Sequence, residues 1–358
     1  MQAGGDSVII VITIAQTYFL EGPISTIKEV AEKAGVSVST VSHVVNGTRY
    51  VSDDLKNKVL SVMECLDYQP NRIARSLRKK QTNSLGLIVA DITNPFYSEI
   101  AWSIEYLSYI QNYSVMLCNS DGDPEKEQFY INQLTQWQVD GIILVSSMIF
   151  PTRMISVGDG SLPIILIDHD GPGYDFDTVL IDDFYAGKLA TEHLIQLGHK
   201  RIACITGSKE TIPSYKRVYG YKASLEAHGL VYDPALVVRG DFNIISGVNC
   251  TNRLLEMENR PTAIFACNDL MAMGVMQSAY THGLKIPDDL SVVGLDDIYW
   301  SKYSVPPLTT IKLPVHQLAE EAVKSFLGRI ENPNKACRAV TLEVHLENRA
   351  STGPLKID

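Results

Sequence analysis

The chain lacks the short signatures that would mark it as an enzyme or a metalloprotein. It contains no G-x-x-x-x-G-K-[ST], no G-x-S-x-G and no H-E-x-x-H, which removes the common phosphate-loop, serine-hydrolase and zinc-protease readings. The six cysteines (Cys65, Cys118, Cys204, Cys250, Cys267 and Cys337) form no C-x-x-C pair. Zinc sites and disulfide scaffolds need tighter spacing, so these read as reduced apolar fillers in a cytosolic protein. No apolar run reaches the roughly 20 residues of a membrane helix. The nearest approach, Val8–Ala15, is preceded by Asp6 as its only charge, whereas a secretory leader needs a basic start. Low-complexity tracts and short repeats are also missing. No cofactor, metal or membrane partner is expected.

What is present is an uneven charge. The 358 residues carry a formal net charge of −10, which taken alone argues against nucleic acid. Residues 25–82, however, hold ten Lys/Arg against six Asp/Glu, and the rest of the chain holds 21 against 35. A small basic head on a large acidic body fits a local DNA-binding module. With 45% apolar and 20% charged residues, the composition is globular, and the length implies two or three domains.

The basic head has helical spacing. Ile27, Val30, Ala31 and Ala34 lie on one helical face, with Thr26 as N-cap and Gly35 as stop. Ser37 caps a second helix that turns Val41, Val44 and Val45 inward and leaves Val38, Ser39, Ser42 and His43 outward. Asn46-Gly47 is a turn. Ser52 is expected to cap a third helix, with Asp53 and Asp54 in its first turn and a stripe of Leu55, Val59, Val62, Met63 and Leu66. Helix, glycine turn, helix and packing helix is the helix-turn-helix plan.

From Thr82 onward the rhythm changes. Short β-branched runs (Leu85–Ala90, Val115–Asn119, Gly141–Ser146, Ile164–Asp168, Arg201–Thr206, Ala263–Cys267 and Val292–Leu295) alternate with amphipathic stretches. Such alternation means parallel sheets covered by helices, and its length calls for two α/β lobes. Between head and body, Tyr68–Thr82 is basic, and Ile73 and Leu77 would share one side of a short helix. A helix that short is marginal alone and is expected to order on DNA.

These segments resemble the LacI/GalR family of bacterial regulators. The resemblance is carried by Thr26-Ile27-Lys28-Glu29-Val30-Ala31, Ala34-Gly35-Val36-Ser37, Thr40-Val41-Ser42 and Val45-Asn46-Gly47. It continues through residues 68–77, Asp91-Ile92-Thr93-Asn94-Pro95-Phe96-Tyr97, Gln138-Val139-Asp140-Gly141, Cys267-Asn268-Asp269 and Pro306-Pro307-Leu308-Thr309-Thr310. It spans about residues 25–350. The fold class it implies is an N-terminal all-α helix-turn-helix headpiece plus hinge helix, followed by an α/β two-lobed type I periplasmic-binding-protein-like effector domain. The corresponding division is an extension over residues 1–24, expected to be disordered, a headpiece over 25–69, a hinge over 70–83 and an effector-binding and dimerisation domain over 84–353. Within the last, the first lobe takes residues 84–183 plus 313–337 and the second takes 184–312 plus 338–353. The expected assembly is a homodimer on a near-palindromic double-stranded DNA operator, with repression as the mode of action.

By the same resemblance, Val38 and Ser39 reach base edges in the major groove, with His43 one turn on, and Thr40 is a further DNA-binding residue. The family pattern usually has Arg where this chain has His43. Arg offers a two-pronged contact to guanine, whereas His offers one hydrogen bond and titrates near neutrality. Thr26, Ser42, Asn46 and Tyr50 are expected at phosphates. Arg72 and Ala74 belong to the hinge's DNA contacts, and Leu77 is the expected minor-groove wedge.

Effector-binding candidates follow the ends of strands, where α/β clefts open. They are Phe96, Tyr97, Asp168, His169, Phe242, Asn268 and Asp296, with Arg217 matching the family's effector-binding arginine. Rings that stack, with Asp, Asn and Arg to hydrogen-bond, suit a polyhydroxylated ring, so a sugar or sugar derivative is the expected effector. A nucleobase could use the same aromatics. Asp168 and Asp296 could equally be turn formers, and Asp269 is expected to cap the helix after it. Two other readings compete with a regulator. One is a periplasmic sugar-binding protein, against which the headpiece argues. The other is an enzyme on the α/β body, for which no catalytic motif was found.

Overall fold

The computed structural model describes residues 25–68, 81–145, 162–169, 176–207 and 212–356. The expected extension over 1–24 and the hinge residues Arg72, Ala74 and Leu77 lie outside them. The chain divides into two units, Met1–Lys80 and Gln81–Asp358.

In the first unit, α1 (Ile27–Ala34), α2 (Val38–Asn46) and α3 (Asp53–Cys65) close around Val30, Ala31, Ala34, Val41 and Val59. Thr26 and Glu29 form a capping box: the Glu29 amide donates to Thr26 Oγ1 at 3.3 Å, and the Thr26 amide donates to Glu29 Oε2 at 2.8 Å. Gly35 and Gly47 take left-handed φ values of 63° and 60° directly after α1 and α2. A side chain there would be strained, and these two residues set the turn geometry. Ser52 occupies the N-cap position of α3 but makes no side-chain capping bond. Asp53 and Asp54 in the first turn supply negative charge at that end instead.

Among its described residues the second unit contains two six-stranded sheets. The first has the order β11-β5-β4-β3-β1-β2 and the second β12-β10-β9-β8-β6-β7. The first sheet is built from β1 (Ser84–Val89), β2 (Ser114–Asn119), β3 (Gly141–Val145), β4 (Ile164–Ile167), β5 (Asp177–Ile181) and β11 (Ala339–Leu342), all parallel. Its helices are α4 (Pro95–Ile110), α5 (Pro124–Gln136) and α10 (Val315–Glu331). The second sheet holds β6 (Ile202–Thr206), β7 (Val237–Arg239), β8 (Ala263–Ala266), β9 (Ser291–Asp296) and β10 (Thr309–Lys312) in parallel. β12 (His345–Glu347) pairs antiparallel to β10. Its helices are α6 (Asp183–Gln196), α7 (Ile212–Ala227), α8 (Ile244–Leu255) and α9 (Asp269–Thr281). β1, β3 and β4 are buried along their whole length, as expected for strands covered on both faces.

The chain passes between the lobes between Ile181 and Asp183, between Lys312 and Val315, and between Leu342 and His345. The last crossing corrects the expected boundary at 338. Ala339–Leu342 pairs with Thr178–Ile181 in the first sheet, so the first lobe extends to Leu342. Its outward side chains hid it: the strand is the sheet's edge, and its residues alternate between exposed and half-buried.

Candidate functional site

The headpiece presents α2 outward by an arrangement its sequence makes clear. Val41 is buried, while Val38 is 39% exposed and Ser39 is exposed beside it. Ser37 Oγ accepts from the Thr40 amide at 3.1 Å and lies 2.7 Å from Ser39 Oγ and 2.8 Å from Thr40 Oγ1. The N-terminus of α2 therefore carries a linked row of hydroxyls. His43 Nδ1 lies 2.9 Å from Thr48 Oγ1, which orients the imidazole and leaves Nε2 as its other hydrogen-bonding atom. Asn46 Nδ2 donates to the Ser42 carbonyl at 2.8 Å. Tyr50, 89% exposed, and exposed Thr26 complete a polar surface on the headpiece. A helix N-terminus set with hydroxyls, beside a polar surface, is suited to a groove of duplex DNA.

The second unit brings charged side chains from both lobes together in its interior. Asp168 follows β4 and Asp183 opens α6, while Arg217 lies on α7 and Asp296 ends β9. All four are buried. Arg217 Nε donates to Asp183 Oδ1 at 2.7 Å, and Nη1 donates to the Cys267 carbonyl at 2.6 Å. This placement depends on two glycines. A Cβ on Gly187 would fall 2.1 Å from the Arg217 carbonyl oxygen, and one on Gly220 would fall 2.0 Å from that of Phe184. Only glycine lets α6 and α7 approach backbone to backbone, and that approach sets Arg217 against Asp183. Asp183 was missed by sequence reading. Its signal was an acidic residue at a helix start four residues before a glycine, a pattern that ordinary capping also produces.

Electrostatics follow from this crowding. Burial pushes the Asp168 carboxyl well above its ordinary value, the charge of Asp183 adds to that, and Arg217 opposes it. A hydrogen bond to Asp183 raises Asp168 further. Asp296 is likewise raised by burial and by Asp269, against Arg217. Burial disfavours the charge of Arg217, but Asp183, Asp296 and Asp168 more than offset this and keep it a cation.

The remaining candidates sort into contacts and supports. Phe96 and Tyr97 meet edge to face, with centroids 5.1 Å apart. Phe96 is buried in the core and Tyr97 is half-buried. Phe242 has a left-handed φ of 67°, costly for an aromatic residue. Its ring lies over Gly207, where any side chain would collide with it. Asn268 Nδ2 donates to the Phe242 carbonyl at 2.9 Å, while Asn268 Oδ1 caps α9 by accepting from the Met271 amide at 2.9 Å. Asn268 therefore holds Phe242 in place. Asp269 is not the cap that was expected. It is a buried acceptor for Thr310 Oγ1 and Ser301 Oγ, each at 2.5 Å, and for the Ile298 amide at 3.0 Å. Burial pushes its pKa up to about 7. Asp168 and Asp296 have φ of 56° and 127°, so both shape the turns that follow their strands. His169 is buried beside Asp168.

One further residue ties the body to the chain that precedes it. Asp140 Oδ1 accepts from the Thr82 amide at 2.7 Å, and Oδ2 accepts from the Asn83 amide at 2.8 Å. Thr82 Oγ1 donates to the Gln138 carbonyl at 3.0 Å. Thr82 and Asn83 are thus clamped at the entry to β3.

Comparison with known proteins agrees with this geometry. Residues 26–71 match the model for bacterial regulatory proteins of the lacI family, and residues 191–352 match a periplasmic binding protein-like domain. The chain is 39% identical over 312 residues to the HTH-type transcriptional repressor PurR of Haemophilus influenzae, covering 87% of this chain and 93% of that protein. It is 38% identical over 328 residues to the ribose operon repressor of Escherichia coli, covering 91% and 99%. A structure of the lac repressor dimer bound to operator and the anti-inducer ONPF superposes with a TM-score of 0.83 at 29% identity, covering 92% of this chain and 99% of that one. A LacI family transcriptional regulator from Enterococcus faecium with bound ribose has a TM-score of 0.70 at 34% identity, covering 76% and 100%.

Proposed function

Because the chain belongs to the LacI family of bacterial regulatory proteins, we propose that it represses transcription from a near-palindromic operator under the control of a small sugar. The observation that carries the DNA half is the exposed, hydroxyl-linked N-terminus of α2 on a headpiece with the family's helix-turn-helix core. It acts as a binding protein rather than an enzyme, in the cytoplasm where its operator lies. No described helix is long and apolar enough to cross a membrane.

Val38, Ser39 and His43 read bases. Thr26, Thr40, Ser42, Asn46 and Tyr50 hold the backbone and set the register. Arg72 and Ala74 add contacts from the hinge, and Leu77 wedges the minor groove at the centre of the site. Two copies are needed to read two half-sites. The exposed edge strand β2, with Met116 and Leu117, and the neighbouring Tyr109 and Ile110 offer an apolar surface for the second copy.

In the cleft, Arg217 and the flanking carboxyls of Asp168 and Asp296 hydrogen-bond ring hydroxyls. Phe242 and Tyr97 stack on the ring's apolar face, Phe96 backs Tyr97, and His169 adds a polar group. The neighbour holding ribose supports a monosaccharide. A monosaccharide shifts operator affinity by preferring one lobe arrangement over the other. The test is selection of a bound palindrome from random DNA by the full chain, repeated with and without D-ribose, D-glucose and adenine. Failure to enrich any palindrome would reject the regulator, and a shift caused by adenine alone would reject the sugar.

A further inference from the structure

We infer that the body carries a second small-molecule site, apart from the effector cleft, built for a zwitterion with an aromatic side chain, an α-amino acid such as phenylalanine.

The site is an open pocket of about 590 Å³ whose walls come from both lobes. None of the effector candidates lines it. The first lobe supplies Ser98, Glu99 and Trp102. They lie on the side of α4 turned away from buried Phe96, Ile100 and Ile104. The second lobe supplies Tyr299, Trp300 and Lys302, all exposed, from a short 3-10 helix, Tyr299–Tyr303. Buried Ser301 pins that turn, its Oγ donating to Asp269 Oδ2 at 2.5 Å, and the Ile298 amide donates to the same oxygen at 3.0 Å. The buried Asp269 thus fixes the turn whose outer residues form one wall.

Two properties of these walls select the ligand. The first is aromatic. The chain has three tryptophans, and two of them meet here, Trp102 at 64% and Trp300 at 58% exposure. Large rings left in water at a concave site gain most from a ligand that covers them. Tyr106 stacks on Trp102 with centroids 6.0 Å apart, and Tyr299 meets Trp300 edge to face at 5.2 Å, so the rings are held before a ligand arrives.

The second property is a separated pair of charges. Asp297, also in the lining, is neutralised by Arg349 at 2.5 Å and by Lys312 at 3.8 Å. Glu99 and Lys302 form no ion pair among the described residues, with each other or with anything else. The charge of Lys302 nevertheless reaches Glu99. Lys302 Nζ rests over the rings of Tyr299 and Tyr303, 4.8 and 5.1 Å from their centroids, a weak hold at an exposed site. One lobe therefore offers a carboxylate and the other an ammonium, across an aromatic pocket. A ligand with a single charge satisfies one of them and is repelled by the other. An amino acid satisfies both: its ammonium donates to Glu99, its carboxylate accepts from Lys302, and its ring covers Trp102 and Trp300.

The test is calorimetric titration of the full chain with L-phenylalanine, phenethylamine and hydrocinnamate. These carry the same ring with both charges, the ammonium alone and the carboxylate alone. L-phenylalanine should bind saturably, and each analogue should bind at least about threefold more weakly, the worth of one partly exposed ion pair. Glu99→Gln should weaken L-phenylalanine by a similar factor without weakening hydrocinnamate. Lys302→Gln should weaken it likewise without weakening phenethylamine. Both side chains are exposed and unpaired, so neither change disturbs the fold. No saturable binding of L-phenylalanine up to about 10 mM would overturn the site. An analogue that binds as tightly as L-phenylalanine would overturn the zwitterion. Wild-type affinity for L-phenylalanine in both variants would place the amino acid elsewhere and overturn the inference as a whole.

Discussion

Arg217 Nε and Asp183 Oδ1 lie 2.7 Å apart, both side chains buried, and join α7 to α6 at the point where Gly187 and Gly220 let the two helices touch. The arginine expected to meet ligand is thus also part of the body's structure. Removing it leaves a buried carboxylate without its cation, which costs about 3–5 kcal/mol. Arg217→Ala should therefore lower the urea midpoint as well as abolish effector response. The double variant Arg217→Ala with Asp183→Asn should regain at least half of the lost stability without regaining response. Wild-type stability of the single variant, or a response in the double, would contradict this assignment.

On the headpiece, Val38 and His43 make different predictions. Val38 is exposed at the start of α2 and offers only methyl groups, so Val38→Ala should relax the preference at one base pair by about 1–3 kcal/mol. His43 is held by Thr48, so Thr48→Ala should weaken the same base preference as His43→Ala, though less. Binding measured across an operator library at fixed salt decides both. Uniform loss at every sequence would place these residues at phosphates instead.

Much of this was legible in the sequence, for identifiable reasons. The headpiece helices were marked by caps and 3.6-residue spacing that act locally, and Thr26, Gly35 and Ser37 hold those places. Buried parallel strands were marked by unbroken apolar runs such as Gly141–Val145. The strand Ala339–Leu342 was not legible, because its four residues include Thr341 and lie exposed or half-buried at the sheet's edge. Asp183 and the Asn268 support of Phe242 were not legible either. Each depends on segments brought together only by folding, Asp183 with Arg217 across α6 and α7, and Asn268 with Phe242 from the loop before α8. Asp269 was misjudged because a helix-start Asp usually caps, whereas here Asn268 has that role and frees Asp269 for Thr310 and Ser301.

The Asp140 clamp on Thr82 and Asn83 predicts a loss of communication rather than of binding. Asp140→Ala releases two backbone amides that lead into the hinge. The variant should bind effector and operator within about threefold of wild type, while the effector-induced change in operator affinity, ordinarily about 5–150-fold, shrinks several-fold. Calorimetry and operator titration with and without effector give both quantities. An unchanged ratio would mean that the hinge is controlled elsewhere. Leu77→Ala makes the complementary prediction: weaker operator binding and a smaller bend, with effector affinity untouched, read by gel shift on permuted fragments.

Acid should loosen the end of the chain first. His199 is buried, with Nδ1 2.9 Å from Thr262 Oγ1 and Nε2 3.0 Å from Ser291 Oγ and 3.1 Å from the Gly353 carbonyl. His193 Nε2 lies 2.9 Å from Thr352 Oγ1. Together they fasten residues 352–353 to the second lobe. Burial lowers both pKa values below the ordinary 6.5, and for His193 the neighbouring His199 adds to that. Between the lowered folded values and 6.5, the unfolded chain binds more protons, so stability rises with pH there. The contribution is fully present above about 6.5 and is lost as pH falls through the folded values. The buried carboxyls work in the opposite sense: Asp269, raised to about 7, favours the fold below the ordinary carboxyl range and loses that advantage as pH rises through 7. A variant comparison separates the two. In urea unfolding from pH 7.5 to 5, the wild type should lose more stability than His199→Gln, which has no imidazole to protonate. Equal losses would show that His199 is not the group that titrates.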